Sequence, residues 1–367
     1  MDSKKTSSLW NELLPGIPDD IALDEIAVKL PANDVATLSS ISQRWRQEIT
    51  ERVVYDARVR YRSTEGHVAF QMWANGFNEL LLYSLRNKTL HRLPRVPKFC
   101  SGYQFITLDG KIYVLGGRDC TREDLQTQSR RMYMLDLVGQ KRWKQCASMV
   151  RPRQEFGLGA VGGKIYVFGG NSVNSGPDPN CAAEVYDSKV DAWYPIKPML
   201  SKDVSEKVTS VGEELFVHSR FAYTFEIYNT LTNEWRVGEP IMQRLIDFDG
   251  LRDRLKNVFT IQGKLYGWNS EGISVYNTEK KLWTHCCRIA CDELGPVNSV
   301  LMTPIVVLPV NNNELLANMM YMSKNSRGDK LCLLESSGFG SNNKDVVWLK
   351  SPCTIDSYFN SMYLVQL

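Results

Sequence analysis

The chain has 367 residues, 43% hydrophobic and 23% charged, with 44 basic against 41 acidic side chains and a net charge of +3. That near balance argues against a dedicated nucleic-acid binder, which carries a basic stripe and a pI above roughly 9. No stretch reaches the roughly 18 uninterrupted apolar residues of a membrane span; Pro304 and Pro309 break the longest candidate, Val300 to Val310.

Residues 1–12 read as a flexible lead. The lysines of MDSKKTSSLW are not followed by an apolar run, so no secretory signal is expected. Nine scattered cysteines then read as reduced thiols of the cytoplasm or nucleus. His285, Cys286, Cys287 and Cys291 lie close together but lack the paired C-x2-C spacing of a zinc site, so no metal is expected there.

Residues 13–62 read as helical. Pro15, Gly16 and Pro18 form a turn, after which Asp19 and Asp20 sit where a helix N-terminus favours acids. Ile21, Leu23, Ile26, Ala27 and Leu30 follow at near-helical spacing, and Pro31 stops the run. Asn33 and Asp34 can cap a second helix carrying Val35, Leu38, Ile41 and Trp45. A third pattern places Ile49, Val53, Ala57 and Tyr61 four residues apart. Three short helices have too little core to be secure alone, so the segment is expected to rest on the rest of the chain or on a partner.

From residue 63 the chain repeats. LDGKIYVLGG (108–117) and VGGKIYVFGG (161–170) are nearly identical, with weaker copies at 211–220, 261–270 and 311–320. Their reference residues Gly110, Gly163, Glu213, Gly263 and Asn313 are 53, 50, 50 and 50 residues apart. Each copy continues to a tryptophan: Trp143, Trp193, Trp235, Trp283 and Trp348. A unit of about fifty residues with short strands, a glycine pair and one tryptophan predicts a propeller blade. The glycines end a strand where a Cβ would clash or where φ is positive. Residues 67–93 supply three more strands, and the tail TIDSYFNSMYLVQL supplies a fourth. The expected fold is therefore a small all-α bundle followed by a six-bladed propeller over 63–367, closed by the C-terminal strand.

The quoted repeats resemble kelch repeats. LLPGIPDDIALDEIAVKLPANDVATLSSISQRWRQEI (13–49) resembles an F-box, through Ile17-Pro18, Asp19-Asp20, Leu30-Pro31, Asp34 and Ile41-Ser42-Gln43-Arg44-Trp45. Its opening Pro-Gly-Ile-Pro-Asp-Asp-Ile-Ala-Leu (15–23) particularly resembles plant F-box/kelch proteins. The resemblance implies the substrate receptor of a Skp–cullin–F-box ubiquitin ligase, with no catalysis and no cofactor of its own. Adaptor contact would fall among Ile17, Pro18, Ile21, Ile26, Leu30, Pro31, Val35, Leu38 and Trp45, shared with the core of the bundle. A Skp-type adaptor, and through it a cullin and a RING protein, are the implied partners, together with a target protein. The alternative is a kelch scaffold that binds a partner without degrading it.

No G-x-S-x-G elbow, H-E-x-x-H or P-loop is present. The histidines, His67, His91, His218 and His285, are expected to fall in four different blades, too dispersed for a copper site. The binding surface is sought instead in the loops between strands two and three and between consecutive blades. Arg118, Arg151, Arg153, Arg244, Arg252 and Arg254 lie there, and arginine suits carboxylate or phosphate recognition. Glu155 departs from a simple basic cluster.

Overall fold

The computed structural model describes scattered residues of 13–45 and, from residue 51 onward, the strands and most turns. Outside the described residues lie the longer loops 119–127, 171–181, 220–224, 239–256, 291–300, 310–314 and 340–345, and the side chains beyond residue 284.

Two helical pieces are described, a single turn α1 (Asp19–Ile21) and the eleven-residue α2 (Glu51–Tyr61). The described residues thus contain one helix of more than a turn, and the expected three-helix bundle is not what they show. The apolar residues of this segment gather into one cluster, Leu13, Ala22, Trp45 and Val54, with Leu14, Ile17 and Leu30 against it. A segment this small cannot bury a core by itself, so its centre is shared with α2 through Val54. The face of α2 also differs from the expected one. Val54, Tyr55, Ala57 and Arg58 are buried, whereas Val53 and Tyr61 are exposed. Tyr55 and Arg58 are amphipathic enough to be buried lengthwise, which turns the helix away from the Val53–Tyr61 stripe.

The first sheet contains β1 (Gly66–Ala74), β2 (Phe77–Ser84) and β3 (Leu90–Arg92). The second contains β4 (Tyr103–Leu108), β5 (Lys111–Gly116), β6 (Met132–Asp136) and β7 (Trp143–Cys146). The third has β8 (Gly157–Val161), β9 (Lys164–Phe168), β10 (Ala183–Asp187) and β11 (Ala192–Ile196). The fourth has β12 (Val204–Val211), β13 (Glu214–Ser219), β14 (Phe225–Asn229) and β15 (Glu234–Val237). The fifth has β16 (Asn257–Ile261), β17 (Lys264–Trp268), β18 (Ile273–Asn277) and β19 (Leu282–Cys287). The second to fifth sheets are four-stranded antiparallel meanders in sequence order. The first gains its fourth strand from the C-terminus, because β26 (Tyr358–Gln366) pairs antiparallel with β1 from Gly66↔Gln366 to Trp73↔Tyr358. The strands β26, β4, β8, β12 and β16 follow one another around the axis.

Among the described residues the propeller thus has five four-stranded blades, not six. The remaining sheet is of another kind. It holds six strands in the order β20 (Ile289–Ala290), β25 (Val346–Ile355), β24 (Gly328–Phe339), β23 (Leu315–Asn325) and β21 (Leu301–Met302), with β22 (Val306–Pro309) also on β23. Its β20–β25 pair is parallel. Where blades two and three place their glycine pairs, this copy has Met319-Met320. Nothing stops the strand there, and it runs on to Asn325.

The glycine pair has a specific task. Gly116 and Gly117 have φ of +71° and +76°. A Cβ on Gly116 would lie 2.5 Å from the Phe156 ring and 2.7 Å from the Arg153 carbonyl oxygen. Gly170 is pressed in the same way by Phe156 and the Gln154 carbonyl. The inter-blade loop thus passes where side chains would stand, and Phe156 is fully buried.

Three tryptophans tie blades two, three and four each to the blade before. Trp143 donates its indole N–H to Pro94 O at 2.9 Å, Trp193 to Ala147 O at 3.0 Å and Trp235 to Lys197 O at 2.8 Å. Asp191 and Asn233, both in the left-handed region, complete the joint. Asp191 accepts from Tyr186 and from the Ala147 N–H, and Asn233 accepts from Tyr228 and from the Lys197 N–H.

Candidate functional site: two binding ends on opposite faces

Alternation of strand direction sorts the loops onto two faces. Turns joining first to second and third to fourth strands open on one face. Loops joining second to third strands, and one blade to the next, open on the other.

Helix α2 lies on the first of these faces. Arg52 donates to Asp109 O at 3.3 Å, across the turn between β4 and β5. The Arg52 guanidinium also sits 4.9 Å from the centre of the Tyr55 ring. That ring packs against Gly110, whose carbonyl accepts from the Leu137 N–H. Burial, and then the charge of Asp109, push the Tyr55 phenol above its ordinary value. One turn further on, Arg58 donates to Leu30 O at 2.6 Å. Burial is the main cause that lowers the Arg58 guanidinium, with Glu65 acting against it. Glu65 pairs with Arg86 of the first blade at 3.0 Å.

The F-box-like residues lie beyond this helix. Leu13 donates its N–H to Asp19 at 2.8 Å and accepts the indole N–H of Trp45 at 2.7 Å. Trp45 is therefore a core residue of the cluster. Ile17 and Leu30 are half-buried against it. Pro18 is exposed, and Ile21 is 43% exposed. Of the residues expected to contact an adaptor, these last two present apolar surface to solvent, whereas Ile26, Pro31, Val35 and Leu38 lie outside the described residues.

The opposite face carries the arginine loops. Arg118 is exposed, with its Nε 3.5 Å from Gln154. Arg130 is exposed beside it in the fold, its carbonyl accepting the Met149 N–H. Val150 is exposed and Arg151 is half-buried on the adjoining inter-blade loop. Arg118, Arg130 and Arg151 thus share the rim between the second and third blades. Arg130 was not among the residues singled out from the sequence; its place beside Met149 depends on a contact 19 residues apart that no motif announces.

Arg153 is not part of that rim. It is 2% exposed and donates to Gly169 O, to Ala182 O at 2.9 Å and to the Glu184 carboxylate at 2.6 Å. Burial, its largest influence, lowers its guanidinium, while Glu184 acts the other way. Glu184 also accepts the N–H of Val150 at 2.7 Å and of Arg151 at 3.2 Å. Its counterpart in the next blade, Glu226, accepts the Leu200 N–H at 2.8 Å. Arg153 therefore shapes the loop from within instead of offering a charge to a partner. Arg244, Arg252 and Arg254 lie outside the described residues. Glu155 has φ of +54°.

The histidines are distributed differently from expectation. His67 and His91 stand on β1 and β3 of one sheet. Among the described residues no group of three or more His, Cys, Asp or Glu could hold a metal ion. The side chains of Cys286, Cys287 and Cys291 lie outside the description. No described helix is long and apolar enough to cross a membrane.

Five four-stranded sheets around one axis, with tryptophan ties in three and glycine pairs in two, define a kelch-type β-propeller. The Kelch motif matches residues 100–150 and 152–200, which are blades two and three. The N-terminal segment narrows the class. F-box/kelch-repeat protein At1g16250 of Arabidopsis thaliana is 27% identical over 359 residues, covering 91% of this chain and 87% of its own. F-box/kelch-repeat protein At4g39240 of the same plant is 25% identical over 340 residues, 79% of this chain and 86% of its own. F-box/kelch-repeat protein At1g67480 is 24% identical over 284 residues, 74% and 72% respectively. Over most of its length the chain is similar to plant F-box/kelch-repeat proteins.

Proposed function

We propose that the chain is the substrate receptor of a Skp–cullin–F-box ubiquitin ligase, binding a Skp-type adaptor at one end and a target protein at the other. The observation that carries this reading is the placement of the two ends. The F-box-like segment is held by α2 on the face of the Asp109–Gly110 turn, and the Arg118, Arg130 and Arg151 rim is on the opposite face. A bound target is thereby held away from the adaptor and free of it. The chain performs no bond chemistry in this reading. It contributes proximity, by raising the local concentration of target lysines near a recruited ubiquitin-conjugating enzyme. The rim suits a target segment bearing carboxylate or phosphate groups, beside an apolar contact for Val150. The cytoplasm or the nucleus is the proposed compartment.

The test of the degradative role is the fate of captured partners. The full chain and an Arg118→Ala/Arg130→Ala/Arg151→Ala variant are expressed with cullin activity blocked. Proteins held by the wild type, lost from the variant and accumulating under the block are the expected result. Partners whose levels and ubiquitination ignore the block contradict the ligase role and leave a scaffold.

A further inference from the structure

We propose that α2 and the Asp109–Gly110 turn form a fixed joint, with Arg52 and Tyr55 as positioning residues that set the orientation of the F-box-like end relative to the propeller. For its biological meaning the inference rests on the receptor reading above.

A chain that merely tethered two binding modules would need only a flexible linker, whose ends wander on the scale of its length. The described contacts are of another kind. They engage two blades and the F-box-like cluster at once. On the blade-two side, Arg52 donates to Asp109 O, and the Tyr55 ring sits over Gly110. A Cβ on Gly110 would come within 3.0 Å of that ring and within 2.8 Å of Val138, so the glycine lets the helix approach the turn closely. One turn along the same buried face, Arg58 donates to Leu30 O, with Glu65 at the start of β1 acting on its charge. Val54 enters the cluster of Leu13, Ala22 and Trp45. The buried face of helix α2 thus touches the F-box-like core and the propeller at once. Neither body can turn against the other without breaking a buried contact.

The consequence is geometric. A fixed joint presents the same lysines to a ubiquitin-conjugating enzyme at every encounter, whereas a loose one spreads modification over many. Arg52 and Tyr55 are suited to this role because neither belongs to the adaptor-contact set or to the arginine rim.

The first measurement is hydrogen exchange on the free full chain, comparing wild type, Arg52→Ala/Tyr55→Ala and Tyr55→Phe. In the double variant, amides of 105–112 and 51–61 are expected to exchange about tenfold faster, a loss of roughly 1.4 kcal/mol of local protection. Tyr55→Phe keeps the ring and is expected to behave as wild type. Unchanged exchange in the double variant overturns the joint. If that variant does not fold, Arg52→Ala alone, which removes the donor to Asp109 O and keeps the Tyr55 ring, is read the same way. The second measurement uses the chain's own lysines as the probe, in a ligase reconstituted with a Skp-type adaptor, a cullin and a RING protein. Wild type is expected to be modified at a confined set of lysines, and the double variant over a broader set with equal adaptor capture. An identical lysine map overturns the joint. Failure of wild type to bind the adaptor sinks the receptor reading instead, and the exchange experiment still decides the joint.

Discussion

The guanidinium of Arg153 donates to the carboxylate of Glu184 at 2.6 Å, with side chains only 2% and 3% exposed. The pair joins the inter-blade loop to β10 of the third blade. Glu184 serves three donors, whereas Arg153 also has two backbone carbonyls.

That asymmetry predicts unequal costs. Glu184→Ala leaves a buried cation without its counter-charge and strands two backbone N–H groups, which costs about 3–5 kcal/mol. Arg153→Met leaves a carboxylate that still accepts from Val150 and Arg151, and is expected to cost less. Urea unfolding of both variants checks the order; Arg153→Met as the more damaging change would contradict it.

Gly116 and Gly163 share a positive φ but not their surroundings. At Gly163 a Cβ would meet nothing within 4 Å, whereas at Gly116 it would meet Phe156 and a backbone carbonyl. Gly163→Ala is expected to cost about 1 kcal/mol, for the left-handed backbone alone. Gly116→Ala should cost about 1–3 kcal/mol more, as an overpacked core does. Equal melting temperatures for the two variants would show that the inter-blade loop yields to the added methyl.

The pairing of β26 with β1 predicts a large effect of trimming the C-terminus. Removal of 356–367 exposes the inner edge of the first sheet, an open template for association with other chains. A strongly lowered melting temperature and concentration-dependent association are expected. An unchanged melt would mean that the pairing contributes little to the ring.

Alkaline pH should weaken the blade joints. Burial pushes the Tyr228 phenol up to about 12, and Tyr186 is also raised, first by burial and then by its hydrogen bond to Asp191. The fold favours the neutral phenol, so this stability is complete below the ordinary tyrosine value of 10.0 and is lost as pH climbs from there toward 12. The urea midpoint is expected to fall over that window. A flat midpoint across it would contradict the assignment.

Much of this architecture can be read from the residues. The glycine pairs and spaced tryptophans announce the repeat, because a close backbone approach and an indole donor each demand one residue type. The same logic exposes the misreading of the last unit. Met319-Met320 stands where the glycines would be, and the strand continues into a six-stranded sheet instead of closing a sixth blade. Periodicity also misassigned the inner face of α2, since a hydrophobic stripe gives no weight to a tyrosine on a turn or an arginine buried along its stem. Residue type and a place in an inter-blade loop single out Arg153. That it turns inward toward Glu184 depends on a contact 31 residues apart, which no local motif carries. Pro18 and Ile21 remain on the surface, outside the cluster of Leu13, Ala22, Trp45 and Val54.

The proposed receptor role requires that the N-terminal end of this chain dock on a Skp-type adaptor. The most direct measurement is calorimetric binding of a purified plant Skp-type adaptor to the full chain, against a Pro18→Ala/Leu30→Ala variant with an intact propeller melt. One-to-one binding by wild type, weakened at least about tenfold in the variant, a loss of roughly 1.4 kcal/mol, is the predicted result. No binding by wild type, or equal binding by both, would contradict it.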